Sequence, residues 1–222
     1  MTVSIGTAIV SYIEPHPGQA VEFNRWYERD HFLAAVTAGP GVFAGARFVA
    51  TRACKELRPP AGRLFGDPGR GSYLAVAWVL PGKQAEWDAW VGREMETIAA
   101  EGRLFAGRDH VHTAIYECIH ADPDAIVAPA RALGGAVVLA GSAPLGDLGA
   151  GLPAEGRHSS VGLRLARTIV SQAEPPPHEL VIGFYEGDPL ATFRTVADPQ
   201  RYGFASPFLA TVAGTDTYAR DL

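Results

Sequence analysis

The sequence predicts an α+β fold built as two βαββαβ units in tandem, the second of them degenerate. Two observations carry this. Over residues 1–120, strand-like alternation and helical periodicity follow each other in the order strand, helix, strand, strand, helix, strand. Past a linker at 121–134, runs of similar character return over 135–222. The 25 glycines and 17 prolines among 222 residues point to many turns and several irregular loops around these runs.

Residues 3–13 alternate as a strand that EPHPG breaks, and 19–37 then show helical periodicity closed by GPG at 39–41. VFAGARFVAT (42–51) reads as the second strand from its alternation and β-branched content. In 55–72 proline and glycine break every period. That length suits an arm at a pocket mouth, with Arg63, Phe65 or Arg70 near a ligand. SYLAVAWVL (72–80) is nearly all apolar and so expected to be covered on both faces. A helix over 83–102, ended by Gly102, and a strand over 109–120 complete the first unit. This is the ferredoxin-like split βαβ order. In the second unit, GAVVLAGS (135–142), SVGLRLARTIV (160–170), ELVIGFYEG (179–187) and TVAGTDTYARDL (211–222) match the four strands. The Gly-rich PLGDLGAGLPAEG stands where the first helix should be.

Composition narrows the function. The net charge of -5 is modest and the basic residues are scattered, so nucleic acid and anionic membrane surfaces are unexpected partners. No apolar run approaches the length that spans a bilayer. The N-terminus lacks a basic segment followed by a continuous apolar run, so no signal peptide is read. Two cysteines, Cys54 and Cys118, make no disulfide framework, which suits a reducing cytoplasm. Nucleotide-binding glycine motifs and a GxSxG elbow are absent, and neither cysteine neighbours a histidine.

Chemistry concentrates in the first unit. On a 100° wheel Phe23, Trp26, Tyr27, Asp30 and Ala34 share one arc of the first helix, with Asp30 near its middle and His31 at its edge. The second helix repeats the pattern, with Glu94 inside a stripe of Trp87, Trp90, Val91 and Ile98. A charge facing a core costs several kcal/mol unless it is paired or hydrogen-bonded, so something must answer both acids. Asp30 either orients His31 as a general base or pairs with Arg47 or Arg29, and Glu94 either faces the pocket or reaches solvent past a helix end. The two-residue period puts His110, His112 and Tyr116 on one face of the fourth strand. On the helix side, they would oppose His31 and Tyr27 as an acid and base pair. Two histidines at that spacing could chelate a metal, but no third ligand accompanies them and no metal is expected. Trp26, Trp78, Trp87 and Trp90 all fall in this unit, either as plain core or as flat walls for an aromatic ligand.

FNRWYERDHF followed by AGPGVFAGARFVATR resembles the dimeric α+β barrel superfamily, in its EthD-like and antibiotic-biosynthesis-monooxygenase-like branches. The matching positions are Trp26, Tyr27, His31, Pro40, Gly41 and Arg47. The resemblance covers the first 120 residues well and the rest by pattern. It implies a barrel of two ferredoxin-like units, here from a monomeric chain or in a homodimer, with a pocket between helices and sheet. The activities it implies are cofactor-free oxygenation, cyclisation or isomerisation, with haem chemistry in distant branches. The expectation is a cofactor-independent enzyme acting on a small apolar or aromatic oxygenated substrate. His31, Asp30, Tyr27, His110 and His112 would carry the acid and base chemistry. Phe23, Trp26, Arg47, Trp78, Trp87, Glu94 and Tyr116 would contact the substrate. The alternatives are a non-catalytic small-molecule-binding or stress-type barrel and, third, a haem-handling protein.

Overall fold

The computed structural model describes residues 3–60, 66–131, 133–173 and 175–222. Its strands are β1 (Thr7–Pro15), β2 (Val42–Val49), β3 (Tyr73–Val79), β4 (Arg108–Ala121), β5 (Gly135–Gly141), β6 (Arg157–Ser171), β7 (Glu179–Tyr185) and β8 (Phe204–Ala210). Its helices are α1 (Ala20–Trp26), α2 (Arg52–Glu56), α3 (Gln84–Ala100), α4 (Leu145–Ala150) and α5 (Pro189–Phe193). Every strand pairing is antiparallel, and the eight strands close into one barrel in the order β1-β3-β2-β8-β5-β7-β6-β4.

This corrects the expected ferredoxin-like α+β tandem: the molecule is a closed eight-stranded β-barrel with few helices. The first-half strands run β4-β1-β3-β2 and the second-half strands β8-β5-β7-β6. Neither set closes by itself, because β4 pairs with β6 and β2 with β8. Past residue 121 the longest described helix is α4, with 6 residues, so the second half has no helical layer to match α3.

The period of two makes each strand serve two cores. Ala8, Val10 and Tyr12 of β1 face the barrel interior together with Leu74, Val76, Trp78, Val138, Ile182 and Phe208. Ile9 and Ile13 face outward, beneath the first helix and α3. Val137, Leu139, Val181 and Tyr185 do the same under α4 and α5. Strands covered on both faces read as continuous apolar runs, as β3 and β7 do.

The last strand is a second correction. It is FASPFLA, and the expected strand at 211–222 is instead a loop with a 3-10 turn at Thr217–Arg220. Pro207 made this strand hard to read, since proline cannot donate to a ladder. It is tolerated where β8 meets β2, because pairing there is confined to Phe48↔Ala210 and Val49↔Leu209. The arm over 55–72 contains the end of α2 and folds over Arg58, whose guanidinium donates to the carbonyls of Pro68, Arg70 and Gly71 and to Ser206 Oγ. Arg63 and Phe65 lie outside the described residues. Among the described residues no helix is long and apolar enough to cross a membrane.

Candidate functional site

A cavity of about 330 Å³ lies outside the barrel, between its wall and the helices. Its floor is the outer face of β1, β4 and β6, represented by Ile9, Ser11, Arg108, His110, Thr113, Arg167 and Ile169. Its roof is Tyr27, His31 and Val36 from the segment after α1, with Trp87, Val91 and Met95 of α3. Apolar side chains alternate with polar ones in this lining, the polar set being Ser11, His31, Asp88, Arg108, His110, Thr113 and Arg167.

Two local irregularities set who faces this pocket. After α1 the chain winds as π-helix over Tyr27–His31 and again over Leu33–Thr37, with Phe32 N–H reaching back to Tyr27 O and Ala38 N–H to Leu33 O. Each such turn takes up an extra residue and rotates the later side chains away from their α-helical directions. His31 therefore turns inward and is buried, while Asp30 turns to the rim. There its carboxylate pairs with Arg103, at Nε 3.0 Å and by a second contact through Nη2. The partner is thus neither Arg47 nor Arg29.

The second irregularity is a bulge in β4. Tyr12 pairs with His112 and Ile13 with His110, which leaves Val111 without an opposite residue. The bulge splits two histidines that simple alternation puts on one face. His110 looks out into the pocket, its Nδ1 3.1 Å from Thr113 Oγ1. His112 looks into the barrel, 2.9 Å from Tyr116 Oη and 3.0 Å from Ser171 Oγ.

Of the residues expected at the site, Tyr27, His31, His110 and Trp87 line this pocket. Trp26 lies behind His31, stacked on its ring at 4.6 Å, and donates to Arg103 O at 2.7 Å. Phe23 packs into the aromatic cluster below, against Tyr27 and Tyr73. Arg47 is buried on the outer side of β2, over the rings of Tyr27 and Tyr73, and donates to Asn24 Oδ1 at 3.0 Å. Trp78, Tyr116 and His112 belong to the barrel interior and do not reach the cavity. Asp30 and Glu94 are partly exposed and stand outside its lining. Sequence reasoning missed Arg108, Met95 and Arg167. Arg108 was concealed by its place at the very start of β4, where a basic residue reads as a strand end.

Burial controls the protonation of the site. Desolvation, reinforced by the nearby Arg108 guanidinium, pushes His31 down to about 4, against a smaller opposing pull from Asp30. The same two causes bring His110 down to about 4. Both imidazoles are therefore neutral at pH 7. Tyr27 is pushed up to about 12 by burial, in spite of Arg47 and Arg108, and stays a phenol. His31 Nδ1 is buried with no hydrogen-bond partner among the described residues. Such an atom is costly unless a ligand or solvent answers it.

No protein-family model and no curated protein matches the chain. Among solved structures it is similar to one described as a crystal structure study of an anthrone oxidase-like protein. The TM-score is 0.52 at 9% identity, covering 94% of this chain and 92% of that one. The likeness is one of fold. It replaces the expected kinship with the EthD-like and antibiotic-monooxygenase-like branches, which the closed barrel does not support. The residues that suggested that kinship are accounted for by packing: Trp26 on His31, and Arg47 on Tyr27 and Tyr73. Any aromatic helix laid on a sheet near an arginine offers the same pattern.

A second cavity of about 290 Å³ lies under α4, with His120, Asp122 and Arg157 in its lining. Its polar groups largely answer each other: Asp122 accepts from Ser160 N and Oγ at 2.7 and 2.8 Å and lies 3.4 Å from His120 Nε2.

Proposed function

We propose that this chain is a cofactor-independent enzyme that removes a proton from a carbon acid of a small, flat, oxygenated aromatic substrate in the His31–His110 pocket. The observation that carries the reading is a buried, neutral imidazole in the lining of a largely apolar cavity. A neutral imidazole can accept a proton without first losing one, and in this site the imidazolium it forms has to be stabilised by the negative charge that develops on the substrate. Tyr27 Oη, protonated at all ordinary pH values, is a hydrogen-bond donor for a substrate carbonyl. The similar fold of an anthrone oxidase-like protein supports an aromatic ketone as the substrate type.

In such a substrate, loss of a proton from the ring CH₂ beside the carbonyl system leaves an electron-rich carbanion. Dioxygen is the oxidant: CH₂ becomes C=O, one oxygen atom enters the product and the other leaves as water.

The test uses a hydroxylated anthrone as substrate, following oxygen uptake and quinone absorbance together. The wild type is expected to turn over, and His31→Gln to lose on the order of 100-fold in kcat or more with its melting temperature little changed. The acid limb of kcat/KM is expected near pH 4, where His31 protonates, instead of near 6.5. No turnover on any anthrone tried, or an undiminished His31→Gln variant, removes the proposal.

A further inference from the structure

Three carboxylates around the pocket are already engaged. Asp30 holds Arg103, Asp88 holds Arg167 at 2.8 Å, and Asp109 holds Arg70 and lies 3.1 Å from His16 Nε2. Arg108, in the pocket lining, makes no ion pair with any described residue. Its guanidinium lies over the Trp26 ring at 4.4 Å and donates through Nη1 to Phe105 O, while Nε is buried with no partner among the described residues. His31 stacks on the same Trp26, at 4.6 Å, and its Nδ1 is also unanswered. An arginine keeps its charge even where burial opposes it. Among the described residues the pocket lining therefore contains two guanidinium groups, Arg167 neutralised by Asp88 and Arg108 with no carboxylate of the protein to neutralise it.

We infer that Arg108 is a substrate-anchoring residue and that the pocket selects aromatic monoanions whose charge sits on oxygen, such as an ionised phenol, an enol or a carboxylate. The oxyanion accepts from the Arg108 guanidinium, and the flat apolar body lies among Trp87, Val91, Met95 and Ile169. Charge-assisted bonds of this kind are shorter and stronger than neutral ones, and most so where water is excluded. The inference rests on the pocket of the proposed function but not on its chemistry. It names what is held, where the proposed function names what happens to it. Arg167 does not compete for the role, since Asp88 neutralises it at the rim.

The test is calorimetric binding of 1-hydroxy-2-naphthoate and of its methyl ester, which have the same rings but differ in charge. The wild type is expected to bind the anion at least tenfold more tightly than the ester. Arg108→Gln should bring the two to within about twofold, and Arg108→Lys should keep most of the preference. The wild-type ratio needs no variant to fold. Equal affinity for the two probes, or binding of neither, overturns the inference at once, and so does an Arg108→Gln protein that melts normally and keeps the preference. Anthrone turnover measured alongside separates the two ideas. Turnover that depends on His31 with no preference for the anion leaves the enzyme reading and removes this one. An Arg108-dependent preference without turnover does the reverse.

Discussion

Three histidines sit where a proton is disfavoured: His31, His110 and His112 are each brought down to about 4, in every case first by burial. The sign of the consequence comes from counting protons. Between pH 6.5 and 4 the unfolded chain binds these protons and the folded chain does not, so stability rises with pH across that window and is lost as pH falls through it. Each group contributes a slope of up to about 1.4 kcal/mol per pH unit in the middle of the window. The paired carboxylates, Asp30 and Asp109 among them, have lowered pKa values and act in the same direction, but at lower pH. Urea midpoints should therefore fall steeply from pH 6.5 to 4.5, and His112→Gln should make that fall shallower. A midpoint flat over this range would show that these imidazoles are not desolvated in solution. At this scale the sequence was partly legible. A charge on an apolar arc announced that Asp30 had a partner, but the partner, Arg103, lies 73 residues on and no local pattern names it.

Two departures from the ideal period lie at the pocket. The π-helical turns after α1 and the bulge at Val111 decide that His31 and His110 face one shared cavity while Asp30 and His112 do not. The sequence indicates helix and strand here through periodicity, yet periodicity assumes an unbroken winding. One extra residue in a helical turn, or one unpaired residue in a ladder, rotates every later side chain. The wheel therefore found the helix but turned Asp30 inward, and the two-residue period found the strand but put His112 on the same face as His110. Helix packing at the site is also tight at one glycine. A Cβ on Gly39 would come within 2.3 Å of Trp87 Cδ1 and 2.8 Å of Trp90 Cε3. Trp87 is a poor candidate for yielding, because it is buried against Ile9 and Ile115 and donates to Val36 O at 3.3 Å. Gly39→Ala is expected to cost about 1–3 kcal/mol by overpacking and to lower the melting temperature on the order of 5 °C. Because Trp87 is a pocket wall, ligand affinity should drop in the same variant. A melting curve and one binding isotherm check both.

Closure of the barrel is a property of the whole chain, and it explains what the linear sequence could not convey. Strands are written in local alternation, which located seven of the eight; Pro207 concealed the other. Pairing across the two seams joins Phe48 to Ala210 and His112 to Ser171, and nothing within either segment encodes its partner. Read without those seams, two sets of four strands look like two α+β units, each with its own sheet. Joined, they become one barrel whose interior takes Trp78 and Tyr116 from the first half, and Ile182 and Phe208 from the second. A first half alone would expose that inner apolar face and two unpaired edges, on β2 and β4, the usual conditions for aggregation. Residues 1–120 expressed alone are thus expected to aggregate or self-associate. Expressed together with 121–222, the two pieces should form a one-to-one complex, visible by size exclusion with light scattering, because each supplies the edges and the core face the other lacks. A monomeric 1–120 fragment with a cooperative melt would mean that the seams are not needed for folding, and that the first-half core suffices to hold its helices and its pocket.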